Sequence, residues 1–535
     1  MQTPATFDPG VIDRLAHWAQ ARPDKIAVRL IDGDAVTSLS YRELDARASV
    51  AAQWLIGLGL QEGDGIALLM ENHPDLFALA WGSRRAGLYY TPVSTHLHAA
   101  EVNYILQDCG ARLLVATRKT LPLVAAGTED GAWIGMRYLL DGEAPGFASF
   151  TQEAAAFTAG APLPQRSVGR DFLYSSGTTG RPKGIKRPLT PFADRFRDAY
   201  DAVVWREFFG FGPDSVYLTM APLYHAAPLR SSMRNIDWGG SNILASRFDA
   251  ERALQLIAQY RATHSQWVPT MMIRMLALPD AVRAQADLSS MRVAIHAAAP
   301  CPPEVKRRMI DWWGPIWHEY YGGSEGIGLT AIDSAGWLKK PGSVGRAQLG
   351  TIHVKDDEGR ELPTGEQGRI WFSGTPRFAY HNDPGKTAAA YDAQGCATFG
   401  DIGHVDADGD LFLSGRRTDL ILSGGVNIYP QEIENLLATY PGIADVAVIG
   451  VPHPEFGEEV KAVVELHDAR QASPDLARTL IAYCRQHIGH LKCPRSVDFM
   501  PALPRLENGK LYKRLLISRY ANAATPQDHT HANRT

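Results

Sequence analysis

Between residues 26 and 116 the chain alternates short apolar runs with amphipathic ones, and that rhythm leaves few folds open. Residues 26–30 read as a strand, followed by an Asp32-Gly33 turn and a second short strand, which is a hairpin signal. Residues 42–58 place Leu44, Ala48, Ala51, Leu55 and Leu58 at helical intervals and end among glycines. Residues 66–70 form an apolar strand, and residues 73–86 a helix closed by Gly87. Residues 89–93, 99–108 and 113–116 repeat strand, helix, strand. Strands separated by helices imply parallel sheets covered by helices. The predicted fold class is α/β, with a large N-terminal domain of helix-covered sheets.

A boundary is predicted at Gly415-Arg416-Arg417-Thr418-Asp419, dividing residues 1–415 from a smaller α+β unit at 416–535. In the second unit Pro430 starts a helix with Glu432 and Glu434 in its first turn, where the helix dipole favours acids. Residues 444–451 and 459–466 read as strands, and 474–488 as a helix. A hydrophobic content of 45% and a charged content of 21% suit an ordinary globular protein. A net charge of −4 gives no electrostatic case for nucleic acid. The five scattered cysteines suggest reduced thiols rather than a zinc site. The start MQTPATFDPG lacks a signal-peptide pattern, and no stretch approaches the ~20 apolar residues of a membrane span. A cytoplasmic location is the expectation, with a homodimer as the commonest soluble assembly.

The stretch Tyr174-Ser175-Ser176-Gly177-Thr178-Thr179-Gly180-Arg181-Pro182-Lys183-Gly184 packs small hydroxyls, glycines and a lysine together. Glycine lets backbone approach closely, consecutive N–H groups cup an anion, and lysine adds a point charge. A polyphosphate loop is implied, and it is not of the Walker A pattern. The acidic run Asp406-Ala407-Asp408-Gly409-Asp410 invites a calcium reading, but an EF-hand needs glycine at Leu411 and glutamate at Arg417. Asp408-Gly409 reads as a hairpin turn.

Six further segments follow in order: Ala221-Pro222-Leu223-Tyr224-His225, His296-Ala297-Ala298-Ala299-Pro300, Tyr320-Tyr321-Gly322-Gly323-Ser324-Glu325, Gly400-Asp401 with Gly415-Arg416, the run from Ser423 to Glu434, and Pro504 to Lys510. With the phosphate loop, this set resembles the acyl-adenylate-forming superfamily of acyl-CoA synthetases, peptide-synthetase adenylation domains and firefly luciferase. The resemblance covers nearly the whole chain and is strongest toward the AMP-forming acyl-CoA synthetases.

That resemblance implies ATP, Mg²⁺ and coenzyme A as cofactor and co-substrates, and a carboxylic acid as substrate. It assigns Ser175, Ser176, Gly177, Thr178, Thr179, Gly180 and Lys183 to the phosphates, and Ala298 and Tyr321 to adenine. Ser324 would bond a phosphate, Asp401 the ribose hydroxyls, and Arg416 the ribose and phosphate. Thr178 and Glu325 would hold the metal. Lys510 is the implied adenylation lysine, with Glu325 and His225 as further catalytic residues. Tyr224, His225, Trp267, Ala297 and Gly323 would border the acyl group, and Gly424 and Gly425 the pantetheine arm of CoA. The small domain would be mobile, turning about a hinge near 416–419. The hinge residue is Thr418, where the family usually has aspartate or lysine. Tyr224-His225-Ala226-Ala227 offers no aspartate for an α-amino group, which argues against an amino-acid substrate. Bulky apolar residues 265–272 suit a hydrophobic fatty, aryl or alicyclic acid. Other readings of the same motifs are a ligase loading a separate carrier protein, a luciferase-like oxygenase and a non-catalytic nucleotide-binding protein.

Overall fold

The computed structural model describes residues 14–125, 133, 135–175, 182–194, 204–423, 426–505 and 511–523. The alternating segments of the first hundred residues form the elements their patterns predict. Ile26–Asp32 and Ala35–Ser40 pair as an antiparallel hairpin. The helix Tyr41–Gly57 starts at a capping box in which Ser40 and Glu43 bond reciprocally. Pro74–Ala86 stops at Gly87, whose φ of 72° is the left-handed cap that glycine adopts at little cost. These two helices cross closely at Gly82, where a Cβ would sit 2.7 Å from Ala51 Cβ.

The strands Gly65–Leu69, Tyr89–Pro92 and Ala111–Ala116 belong to a six-stranded sheet whose neighbouring strands all run parallel. The Ile26–Asp32 hairpin does not join it. It pairs in parallel with Ser241–Ala245, more than two hundred residues later, at the edge of a thirteen-stranded sheet. The alternation predicts the elements correctly, but not this partner, because the pairing is decided by long-range packing.

The larger sheet changes character at Trp317–Gly322. That strand runs parallel to Val293–His296 on one side and antiparallel to Leu329–Asp333 on the other. Beyond it the sheet continues as antiparallel strands to Asp401–Val405, Gly368–Ser373 and Thr351–Lys355. In open α/β sheets, ligands bind outside the carboxyl ends of parallel strands where the strand order switches. The carboxyl ends of Val216–Thr219, His264–Trp267, Val293–His296 and Trp317–Gly322 all reach one cleft.

The smaller C-terminal domain follows the 3₁₀ turn Arg417–Asp419. It has a five-stranded sheet led by the long hairpin Ile443–His453 and Gly457–Leu466, covered by the helices Pro430–Leu437 and Pro474–His487. The acidic turn at 406–410 closes around Lys340, whose ammonium lies 2.6 Å from Asp406 and 3.1 Å from Asp410. A protein cation therefore occupies the place that a calcium reading would give to a metal. All five cysteines are free thiols. Among the described residues no helix is long and apolar enough to cross a membrane.

Candidate active site

The cleft has a volume of about 1040 Å³ and lies between the two large sheets. Tyr90 and Pro92 line it from the six-stranded sheet; Thr219, Trp267, Ala297 and Gly322 line it from the larger one. Tyr512 of the C-terminal domain also borders it.

Beside the cleft-lining Glu325, the antiparallel strands Asp401–Val405 and Leu411–Arg416 set Asp401 opposite Arg416 in register. Arg416 Nε lies 3.3 Å from one oxygen of Asp401. Tyr321 donates its hydroxyl to the other across 2.6 Å. Burial and the adjoining Asp401 carboxylate both push the Tyr321 phenol far above its ordinary range, so it stays a donor. Glu325 accepts a 2.9 Å hydrogen bond from Tyr380. Lys183 begins the strand Lys183–Lys186, which pairs with Ala379–Tyr380, and its ammonium lies 5.4 Å from the centre of the Tyr380 ring. Burial, then the neighbouring Lys386 charge, lowers the Lys183 pKa, while Glu325 and Asp383 oppose the shift. Gly323 permits this arrangement: a Cβ there would meet Glu325 Oε2 at 2.6 Å and Phe399 at 2.4 Å.

The other wall begins at the helix Ala226–Asp237, with His225 as its N-cap residue. The Tyr224 and His225 rings meet edge-on at 4.6 Å, and both line the cleft. Arg230, Met233, Arg234 and Asp237 share one face of this helix and also line the cleft. Asp171 receives Arg230 at 2.7 Å and faces Arg187 at 3.7 Å. Burial alone would raise the Asp171 pKa; the surrounding arginines overturn that and hold it well below the carboxylate range. Trp267 is 1% exposed and packs edge-on against Trp313, so it acts chiefly as wall. Ala297 is buried, whereas Ala298 is exposed to the cleft with φ 75°. A left-handed alanine costs roughly 1–2 kcal/mol, so the strain of this turn sits at Ala298.

Ser324 and Glu325 line the cleft, and Lys183, Tyr321 and Arg416 lie close enough to interact electrostatically with Glu325, with Asp401 bound to Tyr321 and Arg416. Tyr224, His225, Trp267, Ala297, Ala298 and Gly323 line the cleft walls. Thr418 stands apart, on the exposed turn between the two domains. Ser176, Gly177, Thr178, Thr179, Gly180, Gly424, Gly425 and Lys510, with the Ser175 side chain, lie outside the described residues. The described residues on either side of Lys510 are anchored to the C-terminal domain. Arg505 bridges to Leu511 and pairs with Asp445, and Lys513 pairs with Glu434 at 2.7 Å. Sequence reasoning missed Tyr380, Asp171 and Arg230. Nothing local marks Tyr380 or Asp171, but the spacing of Arg230, Met233, Arg234 and Asp237 after His225 traces a helix face leading into the site.

The family model described as AMP-binding enzyme matches residues 15–378, and that of the AMP-binding enzyme C-terminal domain matches residues 432–510. A feruloyl-CoA synthase of an Amycolatopsis species is 33% identical over 93% of this chain and 97% of its own length. The long-chain-fatty-acid–CoA ligase FadD13 of Mycobacterium tuberculosis is 30% identical over 90% of this chain and 93% of its own. Among solved structures, ATP-bound MatB from Rhodopseudomonas palustris superposes with a TM-score of 0.81 at 30% identity, covering 96% of this chain and all of that one.

Proposed function

This chain belongs to the AMP-binding enzyme family and is an AMP-forming acyl-CoA synthetase; from that premise we propose that its substrate is a hydrophobic fatty, aryl or alicyclic acid. A carboxylate oxygen attacks the α-phosphorus of ATP and pyrophosphate leaves, giving acyl-AMP. The sulfur of CoA then attacks the acyl carbon, its proton is lost, and AMP leaves with the electron pair of the broken C–O bond.

The observation that carries this reading is a polar set beside an apolar-walled cleft. Tyr321, Asp401 and Arg416 form a bonded set next to the cleft-lining Glu325, and Tyr224, Trp267 and Met271 give the cleft an apolar wall. Asp401 suits a ribose diol, because a carboxylate can accept from two hydroxyls. The first step crowds negative charge between carboxylate and phosphates, so cations fixed in advance lower its barrier. Lys183 and Arg416 supply fixed charge, and Lys510 supplies more when the C-terminal domain closes on the site. The Glu325 carboxylate fits a Mg²⁺ ion that takes most of its ligands from phosphate, and the Ser324 hydroxyl fits a phosphate oxygen. When bound there, Mg²⁺ would neutralise phosphate charge and polarise the P–O bonds. Tyr380, through its bond to Glu325, orients that carboxylate. After adenylation the C-terminal domain turns about Thr418, withdrawing Lys510 and bringing Gly424 and Gly425 to the acyl-AMP.

The test is mass spectrometry of the enzyme with ATP, Mg²⁺, CoA and a panel of fatty, aryl and alicyclic acids. Acyl-CoA and AMP in equal amounts support the reading. Acyl-AMP with no acyl-CoA would overturn CoA as acceptor in favour of a carrier protein.

A further inference from the structure

Behind the acyl wall, four polar side chains form a hydrogen-bond chain with a direction. The buried Tyr217 hydroxyl donates to Gln266 Oε1 across 3.0 Å, and the buried Ser231 hydroxyl donates to the same oxygen across 2.8 Å. An amide oxygen has two lone pairs, so Oε1 is saturated. This turns the amide nitrogen toward Tyr320, and Nε2 donates to the Tyr320 hydroxyl oxygen across 3.1 Å. A phenol that accepts one hydrogen bond still has its own hydrogen to give. Among the described residues no acceptor takes that hydrogen, and Tyr320 and Gln266 both line the cleft.

The strand sets this tyrosine apart from its neighbour. Successive side chains of Trp317–Gly322 point to opposite faces. Tyr321 turns to Asp401 and packs with Phe372 and Phe399. Tyr320 turns the other way, where Trp205 and Phe209 meet its ring edge-on at 6.0 and 5.9 Å. Its ring is therefore held on two sides and its oxygen is fixed by Gln266. Burial raises the phenol's pKa further above its ordinary value near 10, so it stays a donor.

We infer that Tyr320 reads an oxygen on the body of the acid: its O–H donates to a hydroxyl, keto or ether oxygen remote from the reacting carboxylate. Gln266 is the positioning residue that aims it. The inference rests on the ligase reading and narrows it to oxygenated hydrophobic acids. A wholly hydrocarbon acid would strip water from this donor and return nothing, and sites built to bond a substrate oxygen discriminate against analogues that lack it.

The experiment uses pairs of acids with one carbon skeleton, one member carrying an oxygen substituent and the other lacking it. The readout is the ratio of kcat/KM within each pair. The unaltered enzyme should favour the oxygenated member by roughly tenfold or more in at least one pair. Tyr320→Phe should bring that ratio close to one, and Gln266→Leu should lower it chiefly through KM of the oxygenated acid. Ratios near one for every pair, or a Tyr320→Phe loss shared equally by both members, would overturn the inference while leaving the ligase intact. Absence of acyl-CoA with every acid would instead be a failure of the ligase reading, and this inference would fall with it.

Discussion

Tyr321 and Asp401 stand 80 positions apart in the chain and share a 2.6 Å hydrogen bond. The tyrosine comes from the strand at which the large sheet switches from parallel to antiparallel pairing. The aspartate comes from a strand that also sets it opposite Arg416. One carboxylate thus ties the ring expected to face adenine to the arginine that starts the interdomain turn.

Tyr321→Phe keeps the ring and removes the donor. Losing a partner of a buried carboxylate costs roughly 1–3 kcal/mol. The KM for ATP should rise about tenfold in pyrophosphate exchange, with a smaller change in kcat. An unchanged KM would mean that this bond does not prepare Asp401 for the nucleotide.

Gly323→Ala should act through Glu325, since the added Cβ would lie 2.6 Å from its carboxylate oxygen. Displacing a positioned group by about 1 Å can cost about 100-fold in rate. Adenylation should fall by roughly that factor and recover only in part at high Mg²⁺. A variant with normal adenylation would remove Glu325 from the chemistry.

The sequence made the local elements legible because their causes are local. Ser40 with Glu43 caps a helix, and Gly87 ends one. Tyr380 was illegible because only the pairing of Ile185 with Tyr380 brings it beside Lys183 and Glu325. The same holds for Asp171, whose partner Arg230 lies 59 residues on. The motif marks Ala298 as a candidate contact residue, but its strained φ depends on backbone geometry that composition does not reveal.

The two half-reactions should separate genetically. Lys510→Ala should abolish acyl-AMP formation yet largely spare conversion of supplied acyl-AMP to acyl-CoA. Thr418→Pro, on the turn Arg417–Asp419, should impair the thioester step more than the first. Equal loss of both half-reactions in either variant would contradict its assigned role.

Acid should destabilise the large domain below neutrality. Burial, aided by the Arg292 charge, lowers the His264 pKa to about 4 from 6.5, and burial also holds His296 far below its usual range. The unfolded chain binds protons that these folded imidazoles refuse. Stability is therefore full above about pH 6.5 and declines as pH falls toward 4. The His264 contribution is at most about 3 kcal/mol. Urea unfolding at several pH values should show this slope, and His264→Gln should flatten it; an identical slope in the variant would exclude His264 as its source.

The most direct test of the account follows one oxygen atom. An accepted acid labelled with ¹⁸O in its carboxylate is turned over with ATP, Mg²⁺ and CoA, and the phosphorus products are weighed. Attack of the carboxylate on the α-phosphorus predicts one ¹⁸O in AMP and none in pyrophosphate. Label in inorganic phosphate with ADP as the nucleotide product, or AMP without label, would contradict an acyl-AMP intermediate and the assignment built on it.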